Sequence, residues 1–117
     1  MVLVDTSVWV DHFRRNDARL VTLLEAADVV VHPFVIGELA LGTLRDRVRV
    51  LGMFRRMPVA AVATHTEVLT LIERRTLAGR GIGYVDAHLL ASAVIAGARL
   101  WTRDERLAAV ARELALA

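Results

Sequence analysis

Apolar residues in this chain fall into two kinds of run. Short unbroken runs at 2–4 (VLV), 29–31 (VVV) and 59–62 (VAAV), and the Leu-Trp pair within 99–102 (RLWT), place apolar side chains on successive residues, the pattern of strands buried on both faces. Between and beyond them, residues 6–15, 17–27, 33–44, 46–57, 64–78, 84–98 and 103–114 repeat apolar positions with the helical period. Strands alternating with helices, and strands without a polar face, predict an α/β fold: a central parallel sheet with helices on both sides.

Boundary signals agree with this division. Pro33 suits the first turn of a helix, and Thr102 followed three residues later by Glu105 has the form of a capping box at the start of the last helix. The glycines at 79, 81 and 83 separate two helical runs, but the stretch is too short for an interdomain linker. With 117 residues, 56% of them hydrophobic, and no internal repeat, residues 1–117 are expected to form a single domain around one core.

Composition removes several functional classes. No apolar stretch reaches the ~18 residues of a membrane span; the nearest, around 85–98, contains Asp86 and His88 and stops at Arg99. The N-terminus lacks the basic start of a secretory signal, so a cytoplasmic protein with no membrane attachment is expected. Absence of cysteine excludes disulfides, thiolate catalysis and cysteine-based metal centres. All 15 basic residues are arginines, so the pI of about 10.3 mostly reflects arginine's pKa, while the net charge is only +2. The arginines cluster at 14/15, 45/47/49, 55/56 and 74/75, which fits either solvated helix faces or a grip on phosphates.

Four of the 13 acids stand in unusual company. Asp5 ends the first strand. Glu38 has Phe34, Val35 and Leu41 as its helical neighbours, which puts a carboxylate on an apolar face. Asp86 heads the helix most expected to be buried, with Leu89, Leu90 and Ala93 on its stripe, and Asp104 follows the fourth strand. Residues just past the carboxyl ends of parallel strands converge on one crevice, where Asp5 and Asp104 would meet and the other two acids come within reach. Each has an ordinary alternative as a helix N-terminal charge, except Glu38, which has no arginine within a helical turn. If the four cluster, their repulsion must be relieved by protonation, a distant arginine or a bound cation. Hard divalent ions, Mg2+ or Mn2+, are the natural partners of an all-oxygen site. Setting those four aside leaves nine acids against 15 arginines, a basic surface around an acidic pit.

Other polar and aromatic residues carry less. His12, His32 and His65 read as surface or loop positions and His88 as a rim residue, with no zinc spacing among them. Trp9, Trp101, Phe13 and Phe34 are expected to pack, and Ser7 to cap or pack rather than act as a nucleophile.

Four blocks taken in order, VLVDTS at 2–7, GELALG at 37–42, YVDAHLLA at 84–91 and LWTRDERL at 100–107, resemble a PIN-domain ribonuclease of the VapC toxin type. The resemblance implies a three-layer α/β/α domain whose central parallel sheet has four or five strands. It implies that Asp5, Glu38, Asp86 and Asp104 are the catalytic, metal-binding acids, with Thr6 and Thr102 as supporting hydroxyls and Arg14, His88 and Arg103 as candidate RNA contacts. It also implies Mg2+ or Mn2+ as cofactor and RNA, tRNA or rRNA among them, as substrate. Hydrolysis through water activated on the metal would leave a 5′-phosphate and a 3′-hydroxyl. The expected partners are a second copy of the chain and a cognate VapB-type antitoxin, with operator DNA bound only through the antitoxin. The family often closes with a last strand, for which residues 112–117 leave little room.

Two rivals can be weighed from the residues. An aspartyl-phosphate phosphatase or receiver domain would also place an acid after the first strand, but each asks for an essential lysine and this chain has none. A non-catalytic PIN-fold module that only binds RNA or protein is the alternative from a different class.

Overall fold

The computed structural model describes residues 1–117. The chain runs β1 (Val2–Val4), α1 (Thr6–Arg15), α2 (Ala18–Glu25), β2 (Val29–Val30), α3 (Pro33–Leu41), α4 (Arg47–Arg55), α5 (His65–Arg74), α6 (Tyr84–Ala96), β3 (Arg99–Trp101) and α7 (Glu105–Glu113). All seven helical segments expected from periodicity form, each close to its expected bounds. At α3 the helix stops at Leu41 because Gly42 leaves helical backbone angles, and Gly97, with φ of 62°, gives α6 a left-handed end.

β1, β2 and β3 form a parallel sheet in the order β2-β1-β3, with Leu3 opposite Val30 on one side and Leu100 on the other. The chain therefore moves one way from β1 and then returns past it. With right-handed crossovers, the two connections lie on opposite faces of the sheet, which creates the α/β/α layering and opens a crevice beyond the carboxyl end of β1. Asp5 stands there.

The fourth expected strand, at 59–62, is reduced to one parallel bridge between Val59 and Val31. Val31 N–H donates to Pro58 O and Ala60 N–H to Val31 O. Beyond that, the Ala61 carbonyl accepts the Ser92 hydroxyl at 2.8 Å, so α6 takes the backbone that would have extended the ladder. At the other edge, Leu100 N–H donates to Leu116 O at 2.7 Å. This is a single bond where a fifth strand would lie, and no fifth strand forms.

Val2, Leu3, Val4, Val29, Val30 and Leu100 are buried and form the middle of the core, joined by Leu20 from α2, Val35 and Leu39 from α3, Leu89 and Leu90 from α6 and Leu107 and Val110 from α7. Trp9 is fully buried, stacked on Phe13 at 5.8 Å and edge-on to Phe54 at 5.0 Å, so its expected packing role holds. Trp101 is only partly buried, and the guanidinium of Arg19 lies 4.3 Å from its ring centroid. No helix is long and apolar enough to cross a membrane.

Candidate active site

Asp5 is the residue before α1, yet its side chain makes no capping hydrogen bond to that helix. Its Oδ2 accepts instead from Ser7 Oγ at 2.9 Å and from Thr102 Oγ1 at 2.7 Å. Each hydroxyl has one proton to give, so both are directed at the carboxylate, and the 3.3 Å approach between the two oxygens is a contact without a donor. Ser7 Oγ accepts Arg103 N–H at 3.0 Å, and Thr102 Oγ1 accepts Asp104 N–H at 3.1 Å. One small polar bracket thereby fastens the end of β1 to the turn between β3 and α7.

That bracket corrects the expected cap of the last helix. The N-cap of α7 is Asp104, whose Oδ1 accepts from Arg106 N at 2.9 Å and Leu107 N at 3.0 Å. Thr102 lies two residues earlier, buried, and is free to serve Asp5.

Glu38 is exposed rather than enclosed by its apolar helical neighbours. Leu41, expected to share its apolar face, is 91% exposed, because helix α3 turns only Val35 and Leu39 fully inward. Glu38 Oε1 accepts from Thr6 Oγ1 at 2.8 Å, so the first residue of α1 orients a carboxylate on α3.

Asp86 lies in the first turn of α6, half-buried, with Oδ2 accepting Gly83 N–H at 3.0 Å. Burial pushes its carboxyl above the ordinary aspartate range; the Gly83 hydrogen bond opposes this, and the charges of Asp5, Asp104 and Glu38 add to it. All three other acids therefore act on Asp86, although no three acids or histidines come close enough to make a closed set of metal ligands.

The four acids share one feature. Each uses a single carboxylate oxygen within the fold: Oδ2 of Asp5, Oε1 of Glu38, Oδ2 of Asp86 and Oδ1 of Asp104. The second oxygen of each has no hydrogen-bond partner in the protein, and none of the four is in an ion pair, the four ion pairs being made by Asp28, Glu113, Asp11 and Asp17. Free carboxylate oxygens without a basic neighbour match the donor preference of a hard divalent cation. In donor chemistry the four acids suit such an ion, although they are not drawn together into a closed ligand set.

The three candidate RNA contacts separate. Arg14 is exposed and lines a cleft of about 1240 Å3 between α1, α3 and α4, together with Arg45, Arg49, Arg56, Thr6 and Glu38. Arg103 is committed elsewhere, with Nε 2.6 Å from Asp11 Oδ2 and Nη2 bonded to Asp17. His88 is 5% exposed, and its Nδ1 is buried without a partner, so it is not the rim residue expected.

His32 differs further from expectation, being fully buried. Its Nδ1 accepts Phe34 N–H at 3.0 Å, which puts the ring proton on Nε2; that proton faces Ser92 Oγ at 3.0 Å, and Ser92 donates on to Ala61 O. Burial, with a smaller contribution from His88, pushes the imidazole down to about 4. Sequence reading missed Ser7, His32 and Ser92 as organising residues. Ser7 carried a faint signal, two residues beyond an acid at a strand end, whereas Ser92 is indistinguishable from any small residue in a buried helix.

Residues 2–113 match the PIN domain family model, and the chain belongs to the PIN-domain family. Within it, the chain is 53% identical over 118 residues to Ribonuclease VapC32 of Mycobacterium tuberculosis strain CDC 1551 / Oshkosh, and equally to that of strain ATCC 25618 / H37Rv, spanning all of this chain and 95% of each relative. It is thus a VapC-type member. A solved structure, FitAB bound to IR36 DNA fragment, superposes with a TM-score of 0.62 over 96% of this chain and 91% of that one at 16% identity, a likeness of fold.

Proposed function

We propose that this protein is a Mg2+- or Mn2+-dependent endoribonuclease, the toxin component of a VapBC-type toxin–antitoxin pair. The observation that carries the reading is the set of four unpaired acids, each with an uncommitted oxygen, beyond the carboxyl end of β1 in a chain 53% identical to a named ribonuclease.

Asp5, Glu38, Asp86 and Asp104 would hold the cation through those oxygens. Once bound, such an ion neutralises the scissile phosphate and lowers the pKa of the attacking water. The protein's own part is orientation. Ser7 and Thr102 fix Asp5, Thr6 fixes Glu38, and the Gly83 amide fixes Asp86. The Asp86 carboxyl is pushed up by burial and by three neighbouring charges, and a bound cation would offset that repulsion. Water attacks the phosphorus in line, the 3′ oxygen leaves as a hydroxyl, and the phosphate stays on the 5′ end of the downstream fragment.

The cleft beside Glu38 supports both a polyanion and a regulator. Arg14, Arg45, Arg49 and Arg56 line it without a carboxylate partner, over an apolar floor of Val10, Phe13, Leu39, Val50 and Met53. Arginine rims suit RNA phosphates, and the apolar floor suits an amphipathic segment of a VapB-type antitoxin. Shared use of one cleft would make silencing competitive, and operator DNA would be reached through the antitoxin. Exposed Leu69, Val94 and Ile95 on α5 and α6 support a homodimer contact.

The test is cleavage of RNA with Mn2+ or Mg2+, with fragment ends mapped, for the wild type and Asp5→Asn. Fragments bearing 5′-phosphates and 3′-hydroxyls, absent with EDTA and with Asp5→Asn, are expected. RNA that is bound equally by both forms and cut by neither would instead identify a binding module.

A further inference from the structure

A continuous run of aromatic rings borders the acids, formed by residues outside the arginine cleft. His65 and Tyr84 rings lie 5.7 Å apart, Tyr84 meets His88 edge-on at 4.7 Å, and His88 meets Phe34 edge-on at 4.8 Å. Two of its members stand near the acids along the chain. Tyr84 precedes Asp86 by two residues in the first turn of α6, and Phe34 lies one helical turn before Glu38 on α3.

Tyr84 is not a core residue. It is 47% exposed, yet it is held in place: its hydroxyl lies 2.6 Å from His65 Nδ1, and the buried His88 ring packs perpendicular to it. An exposed tyrosine usually turns over several rotamers, and fixing one has an entropic cost that an idle surface residue does not incur. Beneath it, the His88 ring is buried and packs between Tyr84 and Phe34. A rigid, half-open aromatic face is what an unstacked nucleobase needs.

We infer that Tyr84, braced by His65 and His88, is a stacking platform for one nucleobase of the bound RNA. The inference rests on the ribonuclease reading for the identity of its ligand. Its recognition is of the base's face and is tolerant of base identity, while the arginine cleft holds backbone. Duplex RNA, with its bases stacked inward, cannot reach the platform. Single-stranded segments and loops can.

The test uses a fluorescently labelled single-stranded RNA decamer bound to the full chain carrying Asp5→Asn, so that binding is read without cleavage. Adding Tyr84→Ala should weaken binding by about ten- to a hundredfold, the effect of losing one stacked base. Tyr84→Phe and Tyr84→Trp should retain most of it. A single abasic site moved through the decamer should reproduce the loss at one position on the Tyr84 protein, a readout that stands even where Tyr84→Ala folds poorly, and should have no effect there on a folded Tyr84→Ala protein. Equal binding by Tyr84 and Tyr84→Ala proteins, or an abasic scan without a sensitive position, overturns the platform. So does a Tyr84→Ala protein that keeps its RNA affinity but loses a self-associated species on size exclusion, which would assign Tyr84 to a protein contact. Wild type that leaves the decamer intact with Mn2+ while binding it in a Tyr84-dependent way would sink the nuclease reading and leave the platform standing.

Discussion

Thr102 and Asp5 are 97 residues apart in sequence, and the Thr102 hydroxyl donates to Asp5 Oδ2 at 2.7 Å. Both groups are buried, with 9% and 8% exposure. A buried carboxylate with two hydroxyl donors on one oxygen is left with its other oxygen aimed by default. Thr102→Val keeps the shape of the side chain and removes the donor, so it should destabilise the fold by about 1–2 kcal/mol and reduce kcat by roughly tenfold, since the Asp5 carboxylate keeps only one of its two anchors, Ser7. Thr102→Ser should restore both. Urea unfolding and initial cleavage rates, compared across the three proteins, read the two effects separately.

Asp86 carries the repulsion of the site. Its folded pKa lies above the unfolded one, because of burial first and then the charges of Asp5, Asp104 and Glu38. Ionised Asp86 therefore disfavours the fold, and the disadvantage grows as pH rises past the unfolded value and through the raised one. Asp86→Asn should melt higher than the wild type at neutral pH in EDTA while losing cleavage. Mn2+ at about a hundred times its Kd should stabilise the wild type by about 2.7 kcal/mol, and Asp86→Asn should show a much smaller gain. Identical wild-type melts with and without millimolar Mn2+ would remove the cation from the mechanism.

Arg45 and Arg49 line the cleft beside Glu38 with no carboxylate partner. Removing one phosphate-binding arginine should flatten the dependence of log Kd on log salt by about 0.7 for single-stranded RNA. The Arg45→Gln/Arg49→Gln protein should bind the RNA decamer more weakly at low salt and converge with the parent protein as salt increases. Arg103→Gln, by contrast, should leave the salt dependence unchanged, because Arg103 is occupied by Asp11 and Asp17. Titrations at several salt concentrations distinguish the two.

His32 makes the fold sensitive to acid. Its folded pKa is pushed down to about 4 from 6.5, mainly by burial, so the folded state binds fewer protons than the unfolded one between those values. The stabilisation is fully present above the unfolded value of 6.5 and disappears as pH falls through about 4; from the size of the shift it is worth roughly 3 kcal/mol. Protonating Nδ1 would also set a donor against Phe34 N–H at the start of α3. His32→Gln should therefore be less stable than the wild type at pH 7 and lose less on going to about pH 4.5. Stability curves of the two proteins against pH, measured by denaturant unfolding, give the difference directly.

The primary structure by itself determined most of the element types and singled out four acids. Unbroken valine and leucine runs favour strands covered on both faces, and four motif blocks in order point to Asp5, Glu38, Asp86 and Asp104. Both are local properties, carried by spacing and side-chain chemistry within a few residues. Only the tertiary structure decided how much sheet could form and what each polar group does. The run at 59–62 has strand composition, but Ser92 on α6 captures its carbonyl after a single bridge. Glu38 reads as buried from its helical neighbours, but α3 turns that face to solvent. His32 and His88, expected at the surface, are buried, and Arg103, a candidate for RNA, is tied to two acids from α1 and the start of α2. Burial and pairing depend on which elements pack against a side chain, and those neighbours lie tens of residues away. A hydroxyl 97 residues from Asp5 fixes its carboxylate, and no local pattern encodes that distance.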